Sequence, residues 1–152
     1  MKNQILSFLL LYSSCLFLAG CNEEETQQTI DQQLIAPYFA LIKQGKYEEA
    51  YQSYTSDNYK KYSSLKDYTE SYQKNIAKRG GLESYSIHKV QYLTQLFGKD
   101  EIRGEISFRF KNEKYAKPIL FIISQYPNGK YLIDAAWHDK KYANSDGLDG
   151  PF

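Results

Sequence analysis

The sequence predicts an α+β fold in which the helices come first and the sheet second. Three observations carry that expectation. Apolar residues recur at three- and four-residue spacing between residues 30 and 76, and Gly80-Gly81 closes that pattern. From Leu82 onward the apolar period is two. Short turn signals then divide the remainder into four strand-like stretches, which predicts an antiparallel meander.

The elements follow in order. Ile30, Leu34, Tyr38, Leu41 and Ile42 form one stripe along a first helix. Pro37 opposes an unbroken helix, because proline lacks the N–H and its ring crowds the preceding turn. Either the turn before Pro37 frays, or the helix proper starts near Ala36 with Pro37 in its first turn. Gly45 stops it. Residues 46–54 read as a second helix with Tyr47, Ala50, Tyr51 and Tyr54 on one side, and residues 55–62 as a loop. Ser64, with Asp67 three residues on, caps a third helix whose inward stripe is Leu65, Tyr68, Tyr72 and Ile76.

Residues 82–97 are strand-forming, and Gly98-Lys99-Asp100 makes a turn. The next strand places Ile102, Gly104, Ile106, Phe108 and Phe110 on one face and Arg103, Glu105, Ser107, Arg109 and Lys111 on the other. After Asn112-Glu113, residues 115–126 are the most apolar strand, which predicts cover on both faces. Pro127-Asn128-Gly129 is a hairpin signal, and residues 131–137 return as the last strand.

The first twenty-one residues have a different character. Lys2 precedes an almost wholly apolar run over residues 5–17, and small residues follow at Ala19 and Gly20, the pattern of a secretory signal. Leu18-Ala19-Gly20-Cys21 matches the bacterial lipobox at all four positions, so the stretch resembles a lipoprotein signal. The resemblance implies cleavage between Gly20 and Cys21 and fatty acylation, palmitate included, on Cys21. Each buried methylene contributes about 0.8 kcal/mol, so two or three chains anchor firmly. The expected organisation is a signal over residues 1–20, a lipidated cysteine with a polar tether over 21–33, a domain over 34–138 and a polar tail over 139–152. Asn22 is not the aspartate of an inner-membrane retention signal, which favours the outer membrane, facing the periplasm, if the cell is Gram-negative.

Composition narrows the function classes. The chain has 19 Lys+Arg and 18 Asp+Glu; Lys2 is the only charged residue among the first twenty, so 18 of each remain. A balanced domain with isolated basic pairs at Lys60-Lys61 and Lys78-Arg79 gives no basis for nucleic-acid binding. Cys15 leaves with the signal and Cys21 is the lipid site, so no disulfide, thiolate nucleophile or cysteine metal site is expected.

Three helices followed by a four-strand meander resemble the nuclear-transport-factor-2-like, or cystatin-like, superfamily. Residues 38–54 resemble the opening helix pair of its small lipoproteins, with a glycine and a charged residue ahead of Tyr47-Glu48-Glu49-Ala50-Tyr51. The resemblance implies a strongly curved sheet closing on the helices to leave a conical space. Tyr38, Ile42, Phe108, Phe110, Phe121 and Trp137 would line that space or fill it as solid core.

Enzymes of the superfamily place a carboxylate or histidine base and a tyrosine donor in the cone. Here the catalytic candidates are Asp134 and His88, with Tyr131 or Tyr92 as donors. Asp134 shares a face with Leu132 and Ala136, opposite Tyr131, Ile133, Ala135 and Trp137, and the sequence leaves open which face is inside. No metal or other cofactor is expected: His138-Asp139 has no second histidine at ligand spacing, and the segment Asn144-Ser145-Asp146-Gly147 lacks a calcium loop's alternating ligands. The expected function is a non-enzymatic, membrane-anchored domain that binds a small apolar ligand or an envelope protein. The alternatives are an isomerase- or dehydratase-like cone enzyme and an accessory subunit of a secretion or envelope assembly.

Overall fold

Helix begins earlier than the apolar spacing predicts. A computed structural model of the chain describes residues 21–93 and 101–138. Helix α1 (Cys21–Ile30) runs through a π-helical turn (Asp31–Ile35) into α2 (Ala36–Lys43). The segment expected to be a polar tether is therefore helical, and Ile30 at its end is fully buried. The polar composition of residues 22–29 hid it, because only its final turn carries an apolar side chain to the core. The expected signal with Gly20, the turn at Gly98-Lys99-Asp100 and the tail over 139–152 lie outside the described residues.

The π turn answers the conflict at Pro37. Ala36 N–H bonds to the carbonyl of Asp31, five residues back, and Pro37 lies in the first turn of α2. A proline cannot donate to the carbonyl four residues before it and its ring presses on it; widening the turn by one residue relieves both. Helix α2 then ends as Gly45 predicts. Gly45 has φ +75°, its N–H bonds to Ile42 O, and Lys46 N–H bonds to Leu41 O.

Helix α3 (Tyr47–Tyr54) follows, and then a correction to the loop expected over residues 55–62. Thr55 forms a parallel bridge to Ile133, and Ser56 N–H bonds to Ile133 O at 2.9 Å. Ser56 Oγ accepts from Tyr59 N–H at 3.1 Å, capping a short helix α4 (Asp57–Tyr62). Helix α5 (Leu65–Arg79) is capped by Ser64, whose Oγ accepts from Asp67 N–H and donates to the Asp67 carboxylate. Tyr68 and Tyr72 form its buried face as expected, with Leu65 and Ile76 partly buried beside them. The described helical part is thus one long helical run and three further helices rather than three helices.

Strands β1 (Leu82–Leu93), β2 (Glu101–Phe110), β3 (Lys117–Gln125) and β4 (Tyr131–His138) pair antiparallel in sequence order. The sheet is open, with β1 and β4 at its edges. Ile102, Ile106, Phe108 and Phe110 face the helices from β2, and Ile119, Phe121 and Ile123 from β3. On the opposite face of β3, Leu120 and Ile122 are half-buried. Arg79 ties the end of α5 to the β2–β3 turn. Its guanidinium makes two 2.6 Å bonds to Glu113 and lies 4.0 Å from the centre of the Phe110 ring.

Tyrosines join helices to sheet. Tyr68 O–H donates to Tyr38 Oη at 2.9 Å, and Tyr38 and Tyr72 hydroxyls lie 2.7 Å apart. The Tyr38 ring meets Phe121 edge-on at 6.4 Å, so hydroxyl chain and apolar core share one residue. Burial pushes the Tyr38 phenol from 10.0 up to about 12 against the pull of its two hydroxyl partners, and pushes Tyr68 and Tyr72 up further. Above pH 10 the unfolded chain releases protons that the folded chain keeps. Stability is thus complete below that pH and falls as the pH climbs through about 12. Thermal melts followed by circular dichroism should show this fall, and a midpoint unchanged across the range would contradict it. Tyr38→Phe removes the partner shared by Tyr68 and Tyr72, and should cost about 1–3 kcal/mol at neutral pH.

Candidate functional site

Three breaks in strand register decide where the chemistry-bearing side chains go. On β1, Leu82 pairs with Phe110 and Ser84 with Arg109, which leaves Glu83 as an extra residue. Ile87 pairs with Ile106 and Lys89 with Glu105, which leaves His88. On β4, Ile133 pairs with Ile123 and Ala135 with Ile122, which leaves Asp134. Each is a β-bulge, a device that re-aims a side chain and shifts the strand's alternation by one. Both catalytic candidates therefore occupy bulges.

The bulge at Asp134 corrects the strict alternation expected of the last strand. Tyr131 and Ile133 are buried before it and Ala136 after it, so the inward phase changes at Asp134. Neither of the two faces read from the sequence is inside along the whole strand. Asp134 itself is half-buried. Ser124 O–H donates to Asp134 Oδ2, and Oδ1 is buried with no hydrogen-bond partner among the described residues.

Asp134 lines a cleft of about 850 Å³. Asp57, Asn58 and Lys61 of α4 form one side, and Ser124, Gln125, Tyr126 and Pro127 of the β3–β4 hairpin another; Tyr92 and Ile102 complete it from β1 and β2. The hairpin is held by Tyr126 N–H to Lys130 O and Gly129 N–H to Tyr126 O, each 2.8 Å, with Gly129 at φ +78°. The cleft combines carboxylates, amides, hydroxyls and an ammonium with the tyrosine and proline surfaces. It is equipped to orient a polar molecule by hydrogen bonds. Sequence reasoning reached Asp134 and Tyr92 but missed Ser124 and the α4 residues, since the helix itself went unread. The Ser56-Asp57 pair, a capping serine before an acidic first turn, was the available signal.

His88 is exposed and offers less. Its Nε2 lies 2.7 Å from Ser107 Oγ, and Ser107 is 2% exposed. The pair has the composition of a nucleophile and its base, but the hydroxyl is sealed beneath the histidine and cannot meet a substrate.

The residues expected to line a cone pocket are core. Tyr38, Ile42, Phe108, Phe110 and Phe121 are at most 2% exposed, and none lines either cleft described here. Trp137 pairs through its backbone with Leu120; its side chain lies outside the described set. Cys21 opens α1.

A second cleft, of about 620 Å³, lies between α1 and β1 and is lined by Glu24, Gln27, Gln28 and Asp31 facing Tyr85, Ser86 and Ile87. Tyr85 O–H donates to Asp31 Oδ1 at 2.7 Å, and burial, aided by that carboxylate, pushes its phenol up to about 12. Among the described residues no three His, Cys, Asp or Glu side chains gather as a metal site, and no helix is long and apolar enough to cross a membrane.

The Ser124–Asp134 bond can be weighed directly. Ser124→Ala strips Asp134 of its one donor among the described residues and should cost about 1–2 kcal/mol in urea denaturation. Adding Asp134→Ala removes the stranded carboxylate, so the double variant should be at least as stable as Ser124→Ala alone. Strictly additive losses would show that the two side chains are not coupled.

No protein-family model matches the chain, and no curated protein sequence matches it either.

Proposed function

We propose that the chain is a bacterial lipoprotein in which lipid on Cys21 holds a binding domain, not an enzyme, at the outer side of a membrane. The observation that carries the anchor is the lipobox Leu18-Ala19-Gly20-Cys21 behind an apolar run. The helices-then-meander order supports a domain of the nuclear-transport-factor-2-like kind, and its finer conical closure belongs to this proposal. Asn22 beside the lipid site favours the outer membrane in a Gram-negative cell.

The packing bears on what such a domain recognises. Phe121 meets Tyr38 at 6.4 Å and Phe108 at 6.0 Å, and all three are at most 2% exposed. Residues that would hold a small apolar ligand are already one another's partners. Recognition at the surface, in the Asp134 cleft, is the better supported route. One observation favours a second reading, a cone enzyme with Asp134 as base: its Oδ1 has no partner among the described residues, in a cleft that Tyr92 and Tyr126 also line.

Labelled palmitate fed to cells making the full chain should enter the wild type, which should fractionate with membranes. Cys21→Ala should take up none. Label that persists in Cys21→Ala would remove the anchor.

A further inference from the structure

We propose that the Asp134 cleft is a saccharide-binding site, its ligand an uncharged sugar ring that gives hydroxyl hydrogens to Asp134 and lays its C–H face on tyrosine. This deepens the binding-domain reading and does not depend on the lipid anchor.

The cleft excludes other ligand classes by its chemistry. An apolar ligand would bury the Asp134 carboxylate and the Asn58 and Gln125 amides against groups that cannot bond to them. An anion would meet two carboxylates, Asp57 and Asp134, with Lys61 the only cationic side chain among the lining residues. A bare metal ion would find one Asp134 oxygen already engaged by Ser124 and no third acidic or histidine ligand among the described lining residues. A polyol differs from all of these, because every hydroxyl both donates and accepts. Carboxylates accept, Lys61 donates, and the Asn58 and Gln125 amides do both, so a ring of hydroxyls can answer each type.

Two features make the site specific. Asp134 Oδ1 is a buried acceptor with no donor among the described residues, although Oδ2, on the same carboxyl, has one. Native proteins rarely leave such an atom. The carboxyl group lines the cleft, and a turn about χ2, a soft torsion in aspartate, presents one of its oxygens to a ligand hydroxyl there. Tyr92, 48% exposed, offers an aromatic surface in the same cleft. At about 850 Å³ the space lies within the roughly 300–1,000 Å³ typical of small-molecule sites.

The test is calorimetric titration of the full chain in detergent with N,N′,N″-triacetylchitotriose and with cellotriose, both uncharged, and with putrescine as an acyclic diamine. At least one trisaccharide should bind. Asp134→Ala should weaken it at least tenfold, and Tyr92→Ala, which leaves the bulge intact, at least fivefold, with each variant's fold checked by circular dichroism. Tyr115→Ala should leave affinity unchanged, since that tyrosine, 73% exposed, lies in the β2–β3 turn at the other end of β3. Three results would each overturn the proposal. Neither sugar binds; the cleft variants bind as the wild type does; or putrescine displaces the sugar and binds more tightly, which makes the cleft a cation site. Palmitate labelling of the same preparation reads the anchor separately, so either conclusion can fail without the other.

Discussion

The hydroxyls of Tyr38, Tyr68 and Tyr72 have to find one another, and the arrangement of the domain depends on that requirement. All three rings lie in the core, where an unpaired hydroxyl is costly. Tyr38 sits on α2 while Tyr68 and Tyr72 sit one turn apart on α5, so a single hydroxyl meets two donors or acceptors only if the helices hold one relative position. Apolar contact alone tolerates sliding, but a chain of hydrogen bonds does not. Tyr51 extends the same logic, donating to Ser63 O at 2.7 Å and so fixing the connection between α4 and α5. The abundance of tyrosine is thereby explained without a ligand: most of those on the helices are structural.

What the tyrosines fix on the helical side, the bulges adjust in the sheet. Regular alternation would have sent Asp134 to the face opposite Tyr131 and Ile133, and His88 to the face opposite Tyr85 and Ile87. An extra residue at each point lets a polar side chain be aimed individually while both flanks of the strand still bury their apolar residues. At His88 the result is a cover for the buried hydroxyl of Ser107. At Asp134 it is a carboxylate beside α4, whose first turn is pinned to the same strand through Ser56 and Ile133. The cleft exists because a bulge and a helix cap meet on one edge strand.

That history explains which parts were legible in the sequence. Period-two spacing located β2, β3 and β4, since their inward residues are consecutive even or odd positions for most of their length. Gly45, Ser64 and Gly80 marked helix ends because each meets a backbone demand that few residues satisfy. The unread features are relations rather than patterns. A bulge at Asp134 is a mismatch between β3 and β4, and neither strand's residues display it alone. The helix at residues 21–30 is polar enough to resemble a spacer, and its register is set by Ile30, Leu34 and Asp31 meeting the body of the domain. Only the candidates already on strands could be proposed; the α4 side of the cleft needed the tertiary pairing of Ser56 with β4.

The early helix also bears on the geometry of the proposed anchor. Ten residues of flexible chain could extend roughly 33–36 Å, whereas ten helical residues span about 15 Å in a fixed direction. With Cys21 at the start of α1, the proposed lipid there would hold the domain close to the bilayer and oriented by that helix. The α1 side of the molecule, with Glu24 facing Tyr85–Ile87, would then be the membrane-proximal side. Tyr92 stands five residues further along β1 than Ile87, a displacement of about 17 Å for an extended strand. The two clefts are thus separated along β1, one beside the proposed anchor and the other away from it. A rigid connection of this kind would keep the Asp134 cleft directed at whatever lies beyond the membrane surface rather than at the lipid.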